Sequence, residues 1–455
     1  MERIAIIGSG FCGSALAIQL LHQATRPLSI SLINRSGRFA RGLAYGTRSS
    51  SHILNVPAER MSLFPGQPGD FLEFARTFWP AAQPGDFLPR QLYGDYLEHR
   101  LEQAIALSGA QINFERRHAQ VSDLNEHDRG LRLQLSDGTA LEVDAAVIAT
   151  GNFAPATPPA LAALRGDPRY VEDPWAPGAL AGMAPEARIV LLGTGLTLFD
   201  MALALQDQGH RAPLLAVSRR GLLPHAHRDN VRAPRLPTLP AGLDPAVGLG
   251  DLLTVIRRWA TDAVQDGYDW RDALAALRPA TPALWQGLDA ADRRRFLRHL
   301  QPYWEVHRHR AAPSVARRVT DLIASGGLSI QAGRLFANQD LTLTLRPRGQ
   351  TVGKELPFDH LINCTGPCND LRALEEPLFA ALQHSGQIRP DPLSLGVETA
   401  ADYRVLDASG RPHPRLFLLS PMLRARHWES TAVPELREHA QRLSRLLLAA
   451  TPRID

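Results

Sequence analysis

Ile4-Ala5-Ile6-Ile7-Gly8-Ser9-Gly10-Phe11-Cys12-Gly13 stands at the head of the chain, and the run Ser14 to Gln23 follows without a break. Four consecutive apolar residues have the length of a buried parallel strand. After Gly13, Leu16, Leu20 and Leu21 recur on one helix face, with Ala15, Ala17 and Ile18 between them. Ser29-Ile30-Ser31-Leu32-Ile33 then reads as a second strand ending at Asn34. Strand, glycine turn, helix and strand is the context in which G-x-G-x-x-G holds a dinucleotide. Gly8 permits the tight turn, Gly10 lets the backbone approach a pyrophosphate, and Gly13 lets helix and strand pack closely. The N–H groups of Phe11 and Cys12 open the helix and face the phosphates with the positive end of its dipole. The competing reading, a glycine-rich turn of some other α/β protein, lacks this agreement between motif and flanking elements.

The motif has one departure. An acid usually ends the second strand and binds the ribose hydroxyls, whereas this chain has Asn34. An amide oxygen still accepts one hydrogen bond. Arg35 beside it offers a cation that could meet a ribose 2′-phosphate, the lesser reading at this site.

A second unit supplies a better phosphate reader. Arg188 to Leu192 is a strand, Gly193-Thr194-Gly195-Leu196-Thr197-Leu198 is a turn, and a helix runs to Gln208 before Gly209. Leu198 takes the third glycine position, so helix and strand are expected to pack less closely. Leu214 to Val217 ends in Ser218-Arg219-Arg220, a hydroxyl and two guanidiniums with no acid, which suits the 2′-phosphate of NADPH better than NADH. The alternative is a solvated Arg pair. Two later strands, Ala145 to Ile148 and Leu361 to Asn363, each run into Thr-Gly, at Gly151 and Gly366, where small residues leave room beside a cofactor.

The chain has 455 residues, enough for two or three domains, with 44% hydrophobic and 21% charged residues. Net charge is +4 and the Arg residues are scattered, which argues against nucleic acid as a partner. No run reaches the ~18 to 20 apolar residues of a membrane span. Residues 1–24 superficially resemble an export signal, but three glycines interrupt them and cleavage would remove the first phosphate turn. Three cysteines make no disulfide framework and point to a reducing, cytoplasmic setting. Cys364 and Cys368 read as small buried side chains.

Between the units, Pro155–Pro159 and Pro174–Pro185 read as linker, and Gly37–Thr47 as a glycine-punctuated loop. Gln91 to Ala106 is an amphipathic helix led by Arg90, a surface charge or a cation near phosphate or carboxylate. Residues 228–326 read as helical, with Asp289 an N-cap. His225 and His227, with His307 and His309, form two H-x-H pairs, but no further ligand recurs at fixed spacing, so no metal is expected. Ser430 or Thr431 fits the N-cap of a last helix reaching Leu448, with Pro434 in its first turn.

These motifs, with Gly42-Leu43-Ala44-Tyr45-Gly46, Leu54 to Ala58, Phe87 to Tyr96, Tyr303 to Arg310 and Trp428 to Pro434, resemble the bacterial FAD/NAD(P)-binding oxidoreductases related to flavin-dependent N-hydroxylating monooxygenases. The resemblance implies an α/β fold: two Rossmann-like, three-layer parallel-sheet domains with a helical insertion. Residues 1–165 and 355–455 would bind FAD, 186–227 and 327–354 would bind NAD(P)H, and 228–326 would cap the substrate. Asn55, Arg90, Trp428 and Glu429 would lie near the flavin or substrate, and the helix behind Ser430 and Thr431 would face the flavin N1–O2 edge. The implied activity is NADPH-dependent hydroxylation of a small substrate, with the amine of a small, anionic acid as the candidate, through a flavin C4a-hydroperoxide. A flavin reductase without oxygen insertion and a non-catalytic flavin-binding protein are the alternatives. Homo-oligomers are compatible with the sequence, which does not specify them.

Overall fold

The computed structural model describes residues 1–229 and 235–449. Residues 230–234 of the expected insertion and 450–455 of the expected C-terminal segment lie outside them. The chain first lays down β1 (Glu2–Ile7), α1 (Phe11–Gln23) and β2 (Leu28–Ile33). The stretch expected to be loop contains α2 (Gly42–Tyr45). Then come α3 (Asp70–Arg76), α4 (Arg90–Ala106) and β3 (Ile112–Arg117). An antiparallel meander, β4 (Val121–His127), β5 (Gly130–Leu135) and β6 (Ala140–Val143), precedes β7 (Ala145–Ile148), which pairs beside β1.

The second sheet opens with β8 (Tyr170–Val171), β9 (Ile189–Leu192), α5 (Leu196–Asp207) and β10 (Leu214–Ser218). The inserted helices are α6 (Leu249–Gln265), α7 (Trp270–Leu277), α8 (Thr281–Gly287), α9 (Ala290–Arg295) and α10 (Gln301–Arg308). Asp289 caps α9, its carboxylate accepting from the Asp292 N–H at 2.8 Å. The second sheet resumes with α11 (Pro313–Ala324), β11 (Leu328–Ala337), β12 (Leu343–Pro347), β13 (Lys354–Glu355) and β14 (His360–Asn363). Finally α12 (Pro377–His384), β15 (Arg404–Leu406), β16 (Pro412–Leu418) and α13 (Val433–Ala449) return to the first sheet.

Strand order is β15-β16-β7-β1-β2-β3 in the first sheet and β13-β12-β11-β10-β9-β14-β8 in the second. The first sheet grows to one side of β1 and then returns on the other, and the second does the same about β9. Crevices therefore open between β1 and β7 and between β9 and β14, the switch points where such sheets bind ligands.

This topology corrects the expected boundaries. β14 pairs with β9, from His360–Ile189 to Asn363–Leu192, so residues 355–366 belong to the second unit. β8 is an edge strand of that sheet, and Leu161 and Leu164, expected in the first domain, are buried in its core, while Leu180 of the expected Pro174–Pro185 linker is buried in a core shared with β9 and α5. α11 buries Val315 and Val319 in the core against α5, which ends the insertion before residue 313. The reason is common to all three: short apolar segments join whichever sheet edge or helix face is open to them in the fold, and local composition does not say which.

α1 is buried from Phe11 to Leu21, as a helix apolar all round must be. It lies between α4 and α13, and Arg26 just past its end donates to the Leu447 and Leu448 carbonyls at the end of α13. α1 and α13 thus run parallel, with both N-termini at the carboxyl edge of the sheet. Among the described residues, no helix is long and apolar enough to cross a membrane.

Candidate functional site

β1 ends at Ile7 and the chain turns on Gly8, which holds φ at +106°. A Cβ there would stand 2.5 Å from the Ala149 carbonyl oxygen at the end of β7, so the crevice closes only on glycine. A Cβ on Gly13 would collide with the Gly8 carbonyl oxygen, which fixes the close approach of α1 to β1. Gly10 caps α1 with no side-chain partner, leaving the first-turn N–H groups for a ligand. Phe11 and Cys12 contribute main chain only: both side chains are in the core, where burial pushes the Cys12 thiol up to about 12. Gly42, at the start of α2, packs on Gly10 from the other side.

Beyond the turn lies a pocket lined by Gly8, Asn34, Val121, Thr150, Glu376 and Phe379, among others. Thr150 Oγ1 is buried there without a partner. The Asn34 amide donates to Ser36 Oγ at 3.0 Å and to the Arg38 carbonyl, which leaves its oxygen for a ribose hydroxyl. Arg35 is taken: its Nη1 donates to Glu376 Oε1 at 2.8 Å. A carboxylate at this spot repels a 2′-phosphate, so the reading of Arg35 as a phosphate ligand is withdrawn. Gly151, at φ +75°, has open space where a Cβ would be.

The second turn repeats the first. Gly193 holds φ +108°, and its Cβ would stand 2.5 Å from the Cys364 carbonyl oxygen at the end of β14. Gly366 follows in the left-handed region with open space around it, as Gly151 does. Its place is thus at the second turn, not the first. Gly195 caps α5 without a side-chain partner, and Thr197 is half-buried in the first turn. Leu198, at the position that Gly13 holds in the first turn, is fully buried in the core of the second unit.

At the end of β10, Ser218 Oγ is bonded to Thr194 Oγ1 at 2.8 Å and accepts from the Gly221 N–H at 3.0 Å. It shapes the turn. Arg220 donates to the Arg298 carbonyl at 3.2 Å and lies over the Tyr303 ring. Arg219 is exposed and has no acidic partner among the described residues, so it is the cation available to a 2′-phosphate.

The remaining candidates lie where the first unit meets the insertion. Asn55 is half-buried, and its carbonyl accepts from His227 Nε2 at 3.0 Å. Burial first, and the neighbouring Arg310 next, hold the His227 pKa down at about 3, so this ring is neutral. Arg90 is not free. Its Nη2 donates to Asp200 Oδ2 on α5 at 2.8 Å and its Nε to the Ile53 carbonyl at 3.2 Å, so it ties the two units together rather than meeting a cofactor.

Trp428 is also reassigned. It is 4% exposed and packs against Trp285 at 4.5 Å and Phe296 at 5.2 Å, forming the core through which the insertion docks. The Glu429 carboxylate is buried and receives Arg308 Nε at 2.6 Å, so it positions Arg308. Ser430 is fully buried and bonded to His439 Nε2 at 3.0 Å, whose Nδ1 meets Tyr403 Oη at 2.9 Å. α13 begins at Val433, so neither Ser430 nor Thr431 is its cap. His225 and His307 meet at 4.4 Å between ring centroids, but no group of three metal-ligating side chains forms among the described residues.

Residues 5–153 match the model of a family described as FAD-NAD(P)-binding. This stretch is an FAD/NAD(P)-binding domain. No curated protein sequence matches the chain significantly. Its fold is shared by ornithine hydroxylase from Pseudomonas aeruginosa, with 18% identity, 98% of both chains covered and a TM-score of 0.64. L-lysine 6-monooxygenase from Pseudomonas syringae gives 18% identity, 99% and 100% coverage and 0.63. The Kutzneria sp. 744 ornithine N-hydroxylase, solved with reduced FAD, NADP⁺ and L-ornithine, gives 13% identity, 98% coverage of both chains and 0.63.

The FAD/NAD(P)-binding domain has room and partners for a dinucleotide. The Thr150 hydroxyl, without a partner among the described residues, shares a pocket with Gly8 and Asn34, the next residue Gly151 has open space where a Cβ would be, and the first turn of α1 is uncapped. Sequence reading missed Glu376, which reaches Arg35 across 341 residues and has no local signal. It also missed the role of Gly42, which the repeated glycines of that stretch did announce.

Proposed function

We propose that the chain is an FAD-dependent, NADPH-using monooxygenase that hydroxylates the amine of a small acid. The observation that carries this reading is the pair of phosphate turns, Gly8 to Gly13 and Gly193 to Leu198, on two sheets tied by Arg90 and Asp200. Each turn sits at the switch point of its own sheet, so a two-cofactor enzyme is the economical explanation. The ornithine, lysine and cadaverine hydroxylases of the same fold support the choice of an amine substrate.

The α1 N-terminus would hold the FAD pyrophosphate, Asn34 a ribose hydroxyl and Thr150 the adenosine half. Gly195 and Thr197 would admit the NADPH pyrophosphate, and Arg219 its 2′-phosphate. Bound FAD supplies the redox and oxygen chemistry. Arg308, anchored by Glu429, and Asn55 would orient the substrate, while the docked insertion excludes water. The overall reaction balances as amine, O2, NADPH and a proton giving hydroxylamine, water and NADP⁺.

The test measures NADPH oxidation, oxygen uptake, hydrogen peroxide and hydroxylamine together across a panel of small amino acids. Hydroxylamine formed in step with NADPH is expected. Oxygen recovered wholly as peroxide with every amine would make the chain a reductase, and failure to hold flavin would end the reading. Arg219→Ala should raise the KM for NADPH about tenfold and leave that for NADH nearly unchanged, since only one carries the extra phosphate.

A further inference from the structure

The pocket beyond the first phosphate turn holds an acid that the motif itself does not supply. Gly8 stands at one end of it, and Asn34, Arg35, Thr150, Glu376 and Phe379 are among the residues that line the rest. The group that reads the adenosine ribose usually follows the second strand and is an acid. Here that position is Asn34, whose side-chain nitrogen is committed to Ser36 Oγ and the Arg38 carbonyl. Its oxygen remains for one hydroxyl, whereas a ribose diol offers two.

Glu376 stands across the same pocket. It is the residue before α12, yet its side chain does not cap that helix. Both of its carboxylate oxygens accept from Arg35 Nη1, at 2.8 and 3.0 Å, and no other group donates to them among the described residues. A carboxylate has about four acceptor sites, so one on each oxygen stays open. The Arg35 side chain is 61% exposed and that of Glu376 24%, which makes the carboxylate the inner member of the pair. α12 holds it in place. Phe379, one turn further on, is 1% exposed, lines the same pocket and packs edge-on against Phe153 at 5.3 Å. The plainer reading is a surface ion pair that fastens α12 to the end of β2. Such a pair contributes little to stability, and that role leaves the open acceptor sites in the pocket without a use.

We infer that Glu376, from the far end of the chain, is the ribose-reading acid of the first dinucleotide site: its carboxylate, positioned by Arg35, accepts one hydroxyl of the FAD adenosine ribose and the Asn34 oxygen accepts the other. The inference rests on the FAD site of the proposed function and names a further specificity residue in it. It also assigns each cofactor to its turn. A carboxylate beside the ribose repels a 2′-phosphate, whereas exposed Arg219 at the second turn has no acidic partner among the described residues and attracts one. The two turns therefore do not exchange cofactors.

The test strips flavin from the full-length protein and titrates it back, by calorimetry, with FAD and with an FAD analogue whose adenosine is 2′,3′-dideoxy. The unmodified chain should bind FAD at least tenfold tighter than the analogue. Glu376→Gln should weaken FAD about tenfold, the scale of one charge-assisted hydrogen bond, and the analogue less than twofold, with the melting temperature of the flavin-free protein nearly unchanged. Arg35→Gln should weaken FAD by less than Glu376→Gln does, since Arg35 only positions the acid. A Glu376→Gln protein that binds FAD normally, or that loses FAD and the analogue equally, would overturn the inference. So would a larger loss from Arg35→Gln, which would make the cation the cofactor ligand. Hydroxylamine and peroxide are measured on the same reconstituted samples. Hydroxyl-dependent FAD binding through Glu376, with oxygen recovered only as peroxide, keeps this inference and removes the monooxygenase. Hydroxylamine formed by a Glu376→Gln protein of undiminished FAD affinity keeps the monooxygenase and removes this inference.

Discussion

Single glycines separate two roles that the motif alone treats as one. Gly13→Ala forces a methyl into the Gly8 carbonyl, which is backbone and cannot yield. We expect the variant to purify with little flavin and a lowered melting temperature, read as the ratio of flavin to protein absorbance. Gly195→Ala has nothing within 4 Å of the new methyl, so it should fold, keep FAD and raise the KM for NADPH several-fold. Equal damage in both variants would mean that the second turn is structural. At this scale the two glycine turns were legible. Gly8, Gly13 and Gly193 are demanded by sterics, and the strand and helix around each turn are close in sequence. Arg35, Arg90 and Trp428 were misread for one reason: a charge or a ring takes its meaning from its partner, and Glu376, Asp200 and Trp285 are all far along the chain.

Among the elements, the segment leading into α13 carries an acid sensitivity. Burial is the leading cause that lowers His439 to about 3 and His427 to about 4, and, elsewhere in the fold, His227 beside Asn55 to about 3. The folded state therefore prefers neutral rings, whereas the unfolded chain protonates them near pH 6.5. Their contribution is fully present above that value and is lost as pH falls through 6.5 toward 4. The urea midpoint should drop between pH 7 and pH 5, and His439→Gln should flatten that slope while costing some stability at pH 8. An unchanged slope would show that His439 is solvated. Elements that alternate or run apolar were readable locally, including β1, β2, β9, β10 and α5. α2 was not, because four residues between glycines carry no periodicity.

For the whole molecule, Arg90 and Asp200 are the tie to break. The Asp200 side chain is 7% exposed, so Arg90→Met leaves a buried carboxylate without its cation. The expected loss is about 3–5 kcal/mol, and Arg90→Met with Asp200→Leu should recover most of it. Urea unfolding of the two variants measures the difference. If Arg90 instead bound a cofactor phosphate, the single variant would keep its stability and lose cofactor. The same tie explains how two nucleotide-binding units hold a fixed relation across an insertion.

The amino-acid sequence by itself determined two phosphate turns, their strands and helices, and hence an α/β protein for two dinucleotides. Those features rest on contacts between residues a few positions apart, where sterics and periodicity act directly. Only the tertiary structure decided that β14 and β8 join the second sheet, that Glu376 claims Arg35, and that Asp200 claims Arg90. Ion pairing and sheet membership depend on groups distant in the chain, which meet only once the chain has folded.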